Sequence, residues 1–163
     1  SPKKILVAVD DVDQSVRAMH YVGSMLRETH DVNVTLFHVL KPMPRELMEH
    51  GGSENPEIED NLGAQLRKDQ EEWVRTEGAI EYPILLKALE RLGQTGFPID
   101  RVTLKFGHER DIVDTIIDEA RSGGYGTIVV TRQGTSGTKR LFGNGITDRL
   151  LREVSEVAIW VLG

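Results

Sequence analysis

The stretch best suited to chemistry reads Thr131-Arg-Gln-Gly134-Thr-Ser-Gly137-Thr-Lys139-Arg140-Leu-Phe-Gly143-Asn144-Gly145-Ile146-Thr147. Its four glycines let main-chain N–H groups converge on an anion. The helical pattern that opens at Ile146 would add the partial positive charge of a helix N-terminus. Arg132, Lys139 and Arg140 contribute cationic charge, and the stretch contains no acid. In chemical terms this is a phosphate cradle, although an ordinary flexible strand-to-helix connection has the same composition. It is not a Walker loop, which ends Gly-Lys-Ser/Thr. Nor is it a dinucleotide fingerprint, which needs Gly-x-Gly-x-x-Gly after the first strand.

Other candidates are more sparing. Asp10, Asp11 and Asp13 cluster at the end of the first apolar run, where they could cap a helix or hold hydrated magnesium near phosphates. The five histidines show no metal-ligand spacing. His38 falls inside an apolar run and reads as a hydrogen-bonded core residue, whereas His20 reads as helix surface. No Ser-His-Asp or Cys-His pairing can be assigned, and Gly-x-Ser-x-Gly is absent. With no cysteine, disulfides, cysteine-ligated zinc and thiol catalysis are excluded.

These residues must be positioned by something, and the hydrophobic pattern says what. Five β-branched runs, Ile5–Val9, Val32–Val39, Val102–Phe106, Thr127–Thr131 and Val157–Leu162, are nearly continuously apolar, as strands covered on both faces are. Between them, Ser15–Arg27, Glu109–Arg121 and Ile146–Arg152 carry apolar residues at three- and four-residue steps. In the first of these, Val16, Met19, Val22, Met25 and Leu26 form the stripe and Asp13 or Ser15 is the expected cap. Gly123-Gly124 is the expected stop of the second. Strands alternating with helices predict an α/β fold, an open five-stranded parallel sheet with helices on both faces. Its ligand would sit outside the carboxyl ends of the strands, where strand order reverses. That rule selects the ends of the first four strands, at Val9, Val39, Phe106 and Val130.

The 163 residues predict a single domain over 1–163, interrupted by a loop plus an acidic helix at about 41–82. Lys41–Asn55 has two prolines and two adjacent glycines and reads as a mobile loop. Glu57–Glu77 reads as an acidic helix, and Pro83 as the start of a new one that buries Leu85, Leu86, Leu89 and Leu92.

On particular residues the chain resembles the universal stress protein family over nearly its whole length. The opening Lys3-Lys4-Ile5-Leu6-Val7-Ala8-Val9-Asp10 is similar to that family's first strand with its terminal Asp, and Phe37-His38-Val39 to its second. Gly107-His108-Glu109, ahead of Ile112 and Ile116, resembles the turn into its third major helix. The nucleotide motif Gly-x2-Gly-x9-Gly-Ser/Thr is met at Gly134 and the nine residues that follow it. It is departed from at Thr131, in place of the first glycine, and at Asn144-Gly145, in place of Gly-Ser.

The resemblance implies an adenine-nucleotide alpha-hydrolase-like sheet of order 3-2-1-4-5. It implies ATP as the ligand, with or without Mg, sensed or buffered rather than turned over. The site residues it implies are Asp10, Val39, Gly107, Thr131, Gly134, Asn144, Gly145 and Ile146. Asp10 would serve the ribose or adenine, Val39 would wall the adenine, and the glycine-rich backbone would hold the phosphates. No residue is an obvious general base, so any ATPase activity would be slow. The resemblance also implies a homodimer paired through the last strand, Val157–Leu162, whose apolar edge needs cover. Thr131 and Asn144 leave a second reading open, a dimeric interaction module of the same fold with a degenerate site. An adenylating ligase of related fold would need a Ser-Gly-Gly-x-Asp-Ser type loop where this chain has Asp10-Asp-Val-Asp-Gln-Ser15.

The net charge of −6 disfavours nucleic acid as a partner, and no apolar run approaches a membrane span. A cytoplasmic protein is expected. The acidity is local, however. Between Glu54 and Glu81 nine acids face three bases, which accounts for the whole charge. From Ala120 to Thr147 there are four bases, no acid and seven of the sixteen glycines.

Overall fold

The computed structural model describes residues 3–10, 12–48, 56–108, 111–131 and 146–162. Five strands, β1 (Lys4–Ala8), β2 (Asn33–Val39), β3 (Val102–Gly107), β4 (Thr127–Thr131) and β5 (Ala158–Leu162), form one parallel sheet of order β3-β2-β1-β4-β5. The helices are α1 (Val12–Leu26), α2 (Arg45–Met48), α3 (Pro56–Gln94), α4 (Ile112–Ser122) and α5 (Ile146–Glu153).

The alternation of side chains along each strand divides the core between two faces. Ile5 and Val7 of β1, Val9 just after it, and Val34 and Leu36 of β2 pack against α1 and the second half of α3. Leu6 and Ala8, with Phe37 and Val39, pack the other way against α4 and α5. The near-continuous apolar runs of the sequence follow from this arrangement, because both faces of the central strands are buried.

Strand bounds agree with the sequence pattern to within a residue, and the helices show where local pattern misleads. The first helix begins at Val12, which puts Asp13 and Ser15 inside its first turn rather than at its cap. Its buried stripe is Ala18, Met19, Val22 and Leu26, with Met25 56% exposed.

The larger correction concerns Pro83. It does not start a helix; it lies inside α3, a single helix of 39 residues, about 58 Å at 1.5 Å per residue. Proline cannot give an N–H to the carbonyl four residues back, a defect of about 3 kcal/mol in a helix interior. Here Pro83 and Ala79 are both exposed, so water can satisfy that carbonyl. The helix is also held on either side, by Leu85, Ala88 and Leu92 in the core and by Glu77 and Glu81 at the sheet. Ala88 is buried where Leu86 was expected, and Leu86 is 43% exposed. In the stretch expected to be loop, α2 forms one short turn, tied to α3 where Gln70 Nε2 donates to the Leu47 carbonyl at 2.5 Å.

The fourth helix begins three residues later than the pattern suggests, because Asp111 caps it. Its side chain accepts from the N–H groups of Val113, at 2.8 Å, and Asp114, at 3.3 Å. Gly123 caps the other end, as the glycine pair implied, and Gly124 follows at φ +70°.

Candidate functional site

In a parallel sheet of this order the chain leaves β1 toward β2 and β3, then crosses back to β4 and β5. The reversal falls between β1 and β4, and sheets of this kind take their ligands beyond the carboxyl ends at such a point. The rim at that point is built from adjacent backbone. β1 and β2 run in register to Ala8↔Phe37, and the Val9 N–H donates to the Phe37 carbonyl at 2.8 Å. β2 and β3 run to Val39↔Gly107, and the Leu40 N–H donates to the Gly107 carbonyl at 2.8 Å. Across the reversal, the register Val7↔Val129 runs on toward Asp10 and Thr131.

Four residues singled out from the sequence therefore share this rim: Asp10, Val39, Gly107 and Thr131. Asp10 follows β1 and is half-buried. Val39 ends β2, 7% exposed, and faces the α4–α5 side. Thr131 ends β4 with its branched side chain 8% exposed. Gly107 ends β3, and packing explains why it is glycine. A Cβ there would lie 2.6 Å from Cζ of Phe37 and 2.6 Å from Cγ2 of Thr115. Ile146 is the first residue of α5, and its side chain is buried with Leu150 in the α4–α5 core. Gly134, Asn144 and Gly145 lie outside the described residues.

The electrostatics of the rim come partly from helix ends. α1, α4 and α5 each follow a strand's carboxyl end, so their N-termini open on this side with partial positive charge. At α4 the Asp111 carboxylate already takes two of those N–H groups. Arg149 of α5 is bonded to Asp114 at 2.6 Å and to Glu153 at 2.8 Å. Among the described residues no group of three or more His, Asp or Glu could hold a metal ion. None of the described helices is long and apolar enough to cross a membrane.

His38 is the core residue the pattern suggested, 3% exposed, and its partners were not legible in advance. Its Nδ1 lies 2.8 Å from the Val9 carbonyl and its Nε2 lies 2.7 Å from Oε1 of Glu81. The helix that supplies Glu81 is thereby joined to the backbone just ahead of Asp10. The one sequence signal was the spacing of Glu77 and Glu81, four residues apart and so on one helix face. That spacing says nothing about which strand they meet.

This combination, a doubly wound parallel sheet with its reversal between the first and fourth strands, defines a class of α/β proteins that bind ligands at the carboxyl rim. A sequence profile described as the universal stress protein family matches residues 2–159, and the chain belongs to that family. Solved structures agree on the fold. A universal stress protein in complex with cAMP has a TM-score of 0.59 at 16% identity, covering 99% of this chain and 96% of that one. The universal stress protein UspA from Lactobacillus plantarum has a TM-score of 0.57 at 18% identity, covering 99% and 97%. A universal stress protein from Archaeoglobus fulgidus in complex with dAMP has a TM-score of 0.55 at 15% identity, covering 98% and 97%. Comparison with curated protein sequences gave no match.

Proposed function

We propose that this chain binds an adenine nucleotide, ATP in the first instance, at the carboxyl rim of its sheet, and senses or buffers it rather than turning it over. The observation that carries this reading is the reversal of strand order between β1 and β4, with Asp10 and Thr131 at the ends on either side of it. Two structurally similar family members in complex with adenine nucleotides, cAMP and dAMP, support it. In this reading Val39 and Gly107 border the base and Asp10 meets the ribose or adenine. The main chain of Gly134, Asn144, Gly145 and Ile146 meets the phosphates, with magnesium where a triphosphate is bound. The basic, acid-free composition of residues 120–147 suits that anionic end. With no general base in view, hydrolysis is slow at most.

Titration calorimetry with ATP and magnesium tests the proposal. Saturable heat is expected, and its absence at millimolar nucleotide removes the claim. Gly134→Val should abolish that heat while leaving the circular dichroism spectrum and melting temperature as they are.

The buried side chain of Thr131 favours a second reading, a dimeric interaction module whose nucleotide site is degenerate. Both readings propose a homodimer through Val157–Leu162. β5 is a sheet edge with Val161 44% exposed and Trp160 stacked edge-on to Tyr21 at 6.2 Å. A monomeric mass in sedimentation at micromolar concentration would count against the dimer. The cytoplasm is the compartment either reading expects, and neither calls for nucleic acid.

A further inference from the structure

Behind the rim, a group of ionisable side chains meets, and two of them are buried. His38 is 3% exposed and Glu77 5%. The Val9 carbonyl 2.8 Å from His38 Nδ1 can only accept, so Nδ1 carries a hydrogen. Nε2 stands 2.7 Å from Oε1 of Glu81, and a proton must lie between them, because otherwise two lone pairs would face each other. The other oxygen of Glu81 accepts from the Lys41 N–H at 3.3 Å, and Lys41 Nζ lies 3.2 Å from Oε1 of Glu77. Glu77 and Glu81 stand one turn apart on the same face of α3, so a proton on the buried Glu77 carboxyl relieves the repulsion between the two.

Groups from every neighbouring element face this cluster. β1 presents the Val9 carbonyl, with Asp10 the next acid along the chain. β2 and its continuation supply His38 and Lys41. α3 supplies Glu77, Glu81 and Tyr82, whose ring leans on the Phe106 ring that β3 sets edge-on to His38.

The cluster stands where α3 divides into two stretches. Leu85, Ala88 and Leu92 bury the later one in the core under α1. From residue 61 to residue 76 the side chains are half-buried or exposed, and α2 with the chain around it leans on this stretch through Gln70. The proton between His38 and Glu81, together with the Lys41–Glu77 pair, therefore joins that first half to the sheet. We propose that His38, Glu81, Glu77 and Lys41 form a proton-dependent clasp, which holds residues 61–81 of α3 and residues 41–48 on the rim and releases them when its protons are lost.

The sign follows from linkage. Burial first, then the neighbouring Glu81 carboxyl, raises the Glu77 carboxyl above its ordinary value. Such a group stabilises the closed form below its unfolded value, and the contribution is lost as pH rises through its folded one. Burial would raise Glu81 too, but hydrogen bonds from His38 and the Lys41 N–H hold it below its ordinary value. Its contribution is lost as pH falls. The clasp is therefore tightest in mildly acidic solution and opens toward alkaline pH.

Hydrogen exchange read by mass spectrometry on the full chain, corrected for intrinsic rates, tests this at about pH 4.5 and about pH 9. Protection of residues 61–81 should fall relative to residues 84–94, about tenfold for each unit by which Glu77 is raised. Glu77→Gln, which carries no charge at any pH, should keep that protection at both. Equal wild-type protection at the two pH values overturns the proposal, as does a Glu77→Gln profile that follows wild type. A parallel loss in residues 84–94 would mean global unfolding and overturns it equally. Should Glu77→Gln fail to fold, the wild-type ratio of the two segments still decides.

Discussion

The last residue of β3, Gly107, lies against the ring of Phe37 so closely that a Cβ would fall 2.6 Å from Cζ and 3.3 Å from Cε1. On its other side the methyl of Thr115 would stand 2.6 Å away. Phe37 is 2% exposed and Thr115 is fixed by its hydroxyl's bond to the Asp111 carbonyl at 2.7 Å, so neither has room to retreat. Gly107→Ala should cost about 1–3 kcal/mol, the range for overfilling a packed site. Urea unfolding measures it. Thr115→Ser keeps the hydroxyl and removes the methyl, so the double variant should recover part of the loss. A strictly additive pair would show that the two residues do not meet.

Where α1 meets the end of α3, Gly23 has a similar role. A Cβ there would come within 1.9 Å of Oγ1 of Thr95 and 2.7 Å of its Cβ. The Thr95 hydroxyl donates to the Leu92 carbonyl at 2.6 Å, which holds the side chain in that place. Gly23→Ala should therefore separate the helices and destabilise the chain by about 1–3 kcal/mol, although alanine is the better helix former by about 1 kcal/mol. A variant as stable as wild type in chemical denaturation would contradict this packing.

At the opposite end of the sheet from the rim, Tyr125 donates to Glu119 at 2.7 Å while Lys105 pairs with the same carboxylate at 2.8 Å. Burial, reinforced by the ionised Glu119, pushes the Tyr125 phenol up to about 12. Burial opposes ionisation of Glu119 as well, but the bonds from Lys105 and Tyr125 hold it below the usual carboxylate range. The contribution of Tyr125 is thus whole below pH 10.0 and lost as pH rises toward about 12. That of Glu119 is whole above its unfolded value and lost as pH falls through its folded one. Tyr125→Phe should remove the late tyrosinate absorbance step, raise the Glu119 pKa and cost about 1–2 kcal/mol near neutrality. Melting curves across pH, with the absorbance titration, check each part.

Asp111 is the cap that sets the start of α4. Asp111→Ala leaves the Val113 and Asp114 N–H groups without their acceptor and should cost about 1 kcal/mol. Asp111→Asn, which still offers an oxygen, should cost less. Equal losses for the two in thermal unfolding would show that the side chain does not act as a cap.

These cases mark what could be read from the chain. The strands were legible because Ile5–Val9 and Thr127–Thr131 are buried on both faces, and such runs are nearly apolar throughout. That Asp10, Val39, Gly107 and Thr131 lie at the carboxyl ends of the strands was legible too, because it follows from where the apolar runs end. Pro83 misled because local chemistry marks it as a helix start, while the contacts that carry α3 through it come from α1 and β2. Gly23 and Gly107 carried no local mark either; what requires them is Thr95, 72 residues away in the chain for Gly23, and Phe37, 70 residues away for Gly107. The partnership of His38 with Glu81 is long-range in the same way, at a separation of 43 residues. Spacing within one element is visible in sequence, whereas the approach of two elements is set by packing.

Thr131 offers a direct test of the proposed site, since the family motif has glycine where this chain has a branched residue. Its side chain sits 8% exposed at the end of β4, at the reversal point where the motif brings main chain close to a nucleotide. Thr131→Gly removes that bulk and restores the motif's first position. It also weakens the strand, because glycine gives up more backbone entropy on folding, by roughly 0.5–1 kcal/mol. If the rim binds ATP, calorimetry should show affinity rising by about tenfold, or roughly 1.4 kcal/mol, while the melting temperature of the free protein falls. The two effects move in opposite directions, so a general loosening of the fold cannot imitate the result. Tighter binding would identify Thr131 as the residue that limits nucleotide access. Unchanged or weaker binding with the lower melting temperature would mean that the Thr131 side chain does not stand in the nucleotide's way.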